Sequence, residues 1–188
     1  MSELRRDPVL GRWVIISSER GHRPTDFEPA QPKEPNGFCA FCPGNEDKTP
    51  PEIIAMREPG TKPNTPGWRV RVVPNKFPAL MIEGEVIKRG RGIYDIMNGV
   101  GAHEVFIECP EHDRTISTID PDNMRELIWV YRQRLIDLEY DERLKYILIF
   151  RNSGVDAGAS LSHPHSQLIA TPIVPKRIME ELSGTRSY

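Results

Sequence analysis

His163-Pro164-His165-Ser166-Gln167 is the stretch from which the rest of this chain is best interpreted. Two histidines stand two positions apart, and a glutamine follows two further on. On an extended backbone, residues i, i+2 and i+4 share a face. A strand or strand-like loop here presents His163, His165 and Gln167 toward one ligand. Imidazole is a nucleophile, a proton carrier and a metal ligand near neutral pH. Gln167 can hydrogen-bond an oxyanion or hold an imidazole, but it cannot act as an acid. A coincidental His-Pro-His in a turn is the competing interpretation, so the surroundings decide.

Working outward, Gln167 to Thr171 continues as a strand, and Lys145 to Phe150 before it is rich in β-formers. Glu104 to Cys109 and Trp13 to Ile16 are further strand candidates. Trp68, Val70 and Val72 alternate with Arg69 and Arg71, which predicts a half-buried strand. The clearest helix starts at Asp120, an N-cap residue followed by Pro121 at the first helical position. Met124, Leu127, Ile128, Tyr131, Leu135 and Leu138 recur at helical spacing, with Arg125, Arg132 and Arg134 on or beside the other face. A shorter helix is expected after Pro175, toward Leu182. Several strands, one long helix and long loops make an α+β chain, with an antiparallel sheet and the helix packed on one face.

The 188 residues suffice for one domain with a real core. A formal net charge of −2 gives no sign of a nucleic-acid groove or of attraction to an anionic membrane. Met1 to Val9 is polar and charged, without a signal-peptide core. The apolar runs, such as Tyr146 to Phe150, are too short to span a bilayer. Three cysteines argue against a disulfide scaffold. A soluble cytoplasmic protein is the expectation. Prolines 24, 29, 32 and 35 make the segment from Arg23 to Asn36 an irregular surface stretch.

Cys39-Ala40-Phe41-Cys42 is a CxxC knuckle followed by Pro43-Gly44. Such a pair serves zinc or thiol redox chemistry, or is simply two buried thiols. A redox pair usually opens a helix, which lowers its thiol pKa. A proline-rich stretch before and a Pro-Gly turn after favour a metal knuckle. Zinc takes four ligands, and two remain to be found among His22, His103, His112, His163 and His165. His112 follows a strand end, where a turn can aim it at the knuckle. His103 stands beside Glu104, which fits a solvated polar pair. Cys109 lies in an apolar strand and is expected simply to pack there. In the His-x-His pair, one histidine can bind the metal while the other is held free at a fixed angle. Asn152 to Ser160 is rich in small residues, whose backbone N–H groups can approach an anion, with the Ser160 hydroxyl added.

In order along the chain, SERGHRP, FCAFCPGNE, RVVPNKFPAL, ECPEH and NSGVDAGASLSHPHSQ resemble the galactose-1-phosphate uridylyltransferase family, a branch of the histidine-triad superfamily. The resemblance implies one histidine-triad-like domain over residues 1–188, an antiparallel half-barrel sheet with one long helix on a face, equivalent to the N-terminal half of such an enzyme. It implies zinc, with iron as an alternative, held structurally by Cys39, Cys42, His112 and His163. It makes His165 the nucleophile that becomes nucleotidylated and Gln167 the residue that holds the transferred phosphoryl group. Asn152 and Ser160 match phosphate-contacting positions, Asn75 a nucleotide-side position, and Arg20 and Arg23 the sugar-phosphate end.

The implied activity moves UMP between a UDP-hexose and a hexose 1-phosphate. Implied partners are a nucleotide sugar and a sugar 1-phosphate, with a homodimer in the full-length form. Ser166 stands where the family usually has glycine. The serine form and GAHEVFIE also resemble ADP-glucose phosphorylases, which carry an adenylyl group, so this is the alternative. A zinc-stabilised nucleotide-binding module without turnover is the alternative from another class.

Overall fold

In the computed structural model the described residues are 2–17, 38–154, 157, 159 and 161–188. Among the described residues, nine strands form two sheets. The first has four strands: β1 (Glu3–Arg6), β2 (Trp13–Ile16), β5 (Lys88–Arg91) and β6 (Tyr94–Asn98), in the order β2-β1-β6-β5. The second has five: β3 (Ile54–Arg57), β4 (Trp68–Pro74), β7 (Ala102–Ile107), β8 (Tyr146–Phe150) and β9 (His165–Thr171), in the order β3-β4-β7-β9-β8. All these strand pairs are antiparallel. Helices α1 (Pro121–Glu139) and α2 (Lys176–Ser187) complete the α+β fold. Neither is long and apolar enough to cross a membrane.

The Asp120 carboxylate caps α1 by accepting the Asp122 N–H at 2.9 Å, with Pro121 leading the helix. The helix buries Leu127, Val130 and Leu138 against Val70 and Val72 of β4, Ala102 and Phe106 of β7, and Leu168 and Ala170 of β9. Each such fully buried aliphatic side chain contributes about 1.5–3 kcal/mol. Because side chains alternate along a strand, this packing gives the even-numbered residues of β7 and β9 to the helix. His103, Val105 and Ile107 of β7, and His165, Gln167 and Ile169 of β9, are left on the opposite face. Ile169 joins a second apolar cluster with Leu4, Leu80 and Met97, in which the small sheet covers one end of that face.

Two arginines depart from their expected places. Arg134 is buried rather than on the polar side of α1, because Glu104 is a helix-facing residue of β7 and needs a cation; their atoms meet at 2.6 and 2.8 Å. Arg71 is 1% exposed. The segment before and after β3 covers its side of β4, and Arg71 is satisfied there by Glu52, Thr49, Asn64 and the Glu46 carbonyl. The strand is thus buried on both faces. β9 starts two residues earlier than Gln167, β7 ends before Cys109, and α2 runs past Leu182.

Candidate active site

The CxxC knuckle is folded by its own backbone. Cys42 N–H donates to the Cys39 carbonyl at 3.3 Å, and Phe41 N–H points to the Cys39 sulfur at 3.4 Å. Asn45 Nδ2 donates to the Cys39 carbonyl at 2.8 Å. Gly44 has φ +94°, a backbone conformation that favours glycine. The buried Glu46 carboxylate accepts the Gly44 N–H at 3.0 Å and the Trp68 indole N–H at 2.8 Å, tying the turn to β4.

The structure brings Cys39, Cys42, His112 and His163 together, with one donor atom from each and all four atoms within 4.8 Å of one another. Cys42 Sγ is 3.4 Å from His112 Nδ1 and 3.6 Å from His163 Nδ1, and Cys39 Sγ is 3.7 Å from His163 Nδ1. A tetrahedral cation with metal–sulfur bonds of ~2.3 Å and metal–nitrogen bonds of ~2.1 Å requires sulfur–nitrogen edges of about 3.6 Å. The cluster has the size and donor set of a metal site. The opposite ring nitrogens are held too, as is usual for metal-binding histidines. His163 Nε2 lies 2.8 Å from the Cys109 carbonyl, and His112 Nε2 lies 2.8 Å from Ser162 Oγ. His163 is completely buried.

Cys109 itself stays outside the cluster. Its thiol contacts the Glu111 carbonyl, and burial pushes its pKa up to about 12. It is packed as expected, and its carbonyl orients His163.

His165 opens β9 opposite Ile107, with its ring against Phe41 of the knuckle. Its Nδ1 donates to the His163 carbonyl at 2.8 Å, so the neutral ring carries its lone pair on Nε2. Burial moves its pKa below the ordinary value, and the Arg151 charge acts in the same direction. His165 borders a cleft of about 230 Å³, whose lining includes Arg151, Asn152, Ser153, Gly154 and Ser162. Asn152 therefore lies at the same cleft as His165.

Gln167 shares the face of His165, but its amide is engaged away from the strand. Its Oε1 is 2.9 Å from His103 Nε2 and 3.3 Å from Asn75 Nδ2. Asn75, which directly follows β4, is thus packed with Gln167 and His103. Instead of forming a solvated pair, His103 and Glu104 are both buried, on opposite faces of β7. The sequence offers His103 only as one of five possible zinc ligands, not as a neighbour of Gln167. Only the β7–β9 register, with Val105 opposite Gln167, reveals that it shares the site's face.

The side chain of Ser166 points the other way. Its hydroxyl meets Tyr131 of α1 at 2.6 Å and also bonds the fully buried Glu108 carboxylate, which holds Arg151 Nε at 3.1 Å. Burial raises the Glu108 pKa. Arg20, Arg23, His22 and Ser160 lie outside the described residues.

An antiparallel sheet with one helix on a face, carrying an oriented histidine beside a two-cysteine, two-histidine cluster, defines a protein of the histidine-triad-like class. Within it, the chain belongs to the galactose-1-phosphate uridyl transferase family, whose N-terminal domain it matches over residues 1–175. It is 40% identical to an ADP-glucose phosphorylase of Arabidopsis thaliana, over 99% of this chain and 53% of that protein. It is 28% identical to a galactose-1-phosphate uridylyltransferase of Thermotoga maritima, over 100% of this chain and 52% of the relative. A solved uridylyltransferase superposes with a TM-score of 0.73 at 27% identity, covering 98% of this chain and 50% of that one. An Arabidopsis thaliana ADP-glucose phosphorylase with bound ADP-glucose gives 0.66 at 36% identity, covering 100% and 54%. The chain thus spans about half the length of these relatives.

Proposed function

We propose that this chain is the nucleotidyl-carrying, N-terminal half of a nucleotide-sugar nucleotidyltransferase, with residues 1–188 as one domain. The observation that carries this reading is the His165 bond to the His163 carbonyl, which leaves Nε2 as the nucleophilic nitrogen beside the cleft. In the proposed reaction Nε2 attacks the α-phosphorus of a nucleotide sugar. The nitrogen–phosphorus bond forms as the bond to the sugar 1-phosphate oxygen breaks, and that group leaves as a stable anion. The covalent nucleotidyl-histidine is then attacked by a phosphate oxygen of the acceptor, which regenerates the imidazole. The leaving group needs no protonation, so a glutamine at position 167 suits transfer. Gln167, Asn152 and Ser160 are assigned to the phosphoryl oxygens, and Arg20 and Arg23 to the sugar-phosphate end.

Zinc is the cation assigned to Cys39, Cys42, His112 and His163, because two thiolates and two imidazoles in a closed tetrahedron suit it; iron is the alternative. With all four positions taken by protein, the ion would supply structural rigidity and would help hold His163 and His165 in fixed relation. A cytoplasmic setting and a homodimer of the full-length form belong to the same proposal.

Two donors fit. The relatives named galactose-1-phosphate uridylyltransferases support UDP-hexose and uridylyl transfer to a hexose 1-phosphate. The higher identity to an ADP-glucose phosphorylase favours ADP-glucose and adenylyl transfer. Intact-protein mass after brief incubation with UDP-glucose or ADP-glucose, with His165→Ala as control, tests both. A UMP-sized or AMP-sized increment absent from the variant supports the mechanism and identifies the base. No adduct with either donor on the full-length protein contradicts it.

A further inference from the structure

Three polar side chains on the nucleophile's own face, the buried His103 and Asn75 and the half-buried Gln167, form a hydrogen-bonded cluster whose sense is fixed by the backbone. The Ala79 N–H lies 2.9 Å from His103 Nδ1. A backbone N–H can only donate, so Nδ1 must offer a lone pair. A neutral His103 then carries its proton on Nε2. Nε2 is 2.9 Å from Gln167 Oε1 and so donates to it.

Asn75 is fixed by the same logic. Its Oδ1 accepts the Phe77 N–H at 2.9 Å, so its other end is the donating amide. That Nδ2 lies 3.2 Å from His103 Nε2, where both nitrogens carry hydrogens and neither accepts, and it donates to Gln167 Oε1 at 3.3 Å. The Asn75 backbone N–H donates to the His103 carbonyl at 2.8 Å, which locks the two residues together. Two donors therefore converge on one end of the Gln167 amide, and that end must be the oxygen. An amide flipped by half a turn would set its own N–H groups against the N–H of His103 and the NH₂ of Asn75.

We infer that His103 is a positioning residue, which with Asn75 holds the Gln167 carbonyl and leaves the Gln167 Nε2 donors for the group carried on His165. Gln167 Nε2 carries no bond to a described residue, and Gln167 lies two positions from His165 on the same face of β9. Glutamine would otherwise be ambiguous, since it can turn either a donor or an acceptor to a ligand. An acceptor would repel a phosphoryl oxygen, whereas a donor stabilises charge that grows there. His103 settles the choice before any ligand arrives, so no amide rotation is needed during reaction. It acts through Gln167 and need not touch the substrate itself.

This inference rests on the proposed nucleotidyl transfer, and the experiments separate the two. In the metal-loaded full-length protein, His103→Leu, His103→Gln, Gln167→Ala and the double variant His103→Leu/Gln167→Ala are compared by single-turnover adduct formation. Metal content and melting temperature are checked for each. His103→Leu should slow adduct formation roughly ten- to hundredfold, with little change in the donor's half-saturating concentration. His103→Gln keeps a donor near the Nε2 position and should recover much of that loss. The double variant should be no slower than Gln167→Ala alone, because both changes remove one function. Multiplicative losses in the double variant, or a wild-type rate in His103→Leu, would overturn the inference while leaving the covalent mechanism standing.

Nitrogen NMR of the His103 ring supplies a readout that needs no turnover. Nδ1 should be unprotonated and Nε2 should carry the proton. A proton on Nδ1 would overturn the inference even if labelling succeeds. Failure of the wild-type protein to take any label would sink the transfer reading, but the NMR result would still show whether His103 donates to the glutamine.

Discussion

The carbonyl of His163 accepts the Nδ1–H of His165 at 2.8 Å, while the ring of His163 faces the two knuckle cysteines. One residue thus contributes its side chain to the candidate metal cluster and its backbone to the tautomer of its neighbour.

Removing the His165 ring should eliminate covalent labelling and leave the fold in place. The ring sits at the start of β9, where the backbone pairing with Ile107 does not depend on it. In His165→Ala, metal content should match wild type and adduct should fall below detection. Retained labelling would move the nucleophile elsewhere.

The pH dependence has a defined sign. Burial holds the His165 pKa below its ordinary value of about 6.5. In the proposed reaction the attacking ring is the neutral one, so labelling should persist below pH ~6.5 before its acid limb begins. For stability, the unfolded chain binds this proton more tightly than the folded one. The contribution is fully present above pH ~6.5 and is lost as the pH falls through the folded value. A single-turnover rate profile with its acid limb at or above the ordinary histidine value would contradict this.

Cys39→Ala removes one of the four clustered donors. Bound zinc, measured by elemental analysis, should fall well below that of wild type, and stability should drop by more than ~2 kcal/mol. Cys109→Ala is the matched control, because that thiol lies outside the cluster. It should keep its metal. Normal zinc in Cys39→Ala would place the ion elsewhere.

Arg134→Met should leave Glu104 buried without a cation and cost about 3–5 kcal/mol in denaturant unfolding. Replacing both partners, in Arg134→Met/Glu104→Leu, should recover most of that loss. An effect below ~1 kcal/mol in the single variant would mean that the pair is not buried in solution.

Much of the α+β frame was legible, because α1 and the central strands announce themselves by period and by cap. β1 and β5 did not: their sequences, ELRR and KRGR, are largely polar, and pairing to β6 makes them strands. Arg71 and Arg134 were misplaced for a related reason. Patterning assigns arginine to water, and only tertiary structure shows that Glu52 and Glu104 await them. At the site, spacing pointed to the CxxC pair and to His-Pro-His but left several histidines open as ligands. Family resemblance, rather than chemistry of spacing, singled out His112 and His163. The structure brings these two and the cysteines together. The place of His103 beside Gln167 was not legible, since it depends on a register across two strands.

The junction at His163 also determines how the protein would fail. If an ion bound there escaped, the His163 ring would keep its bond to the Cys109 carbonyl but lose its tie to the knuckle, and through Pro164 the carbonyl that orients His165 would be held less firmly. With the proposed metal bound, a chelator would then act as an inactivator whose onset follows escape of the ion from these four residues. On the proposed structural role of the ion, refilling with another four-coordinate cation of similar radius should restore the same chemistry.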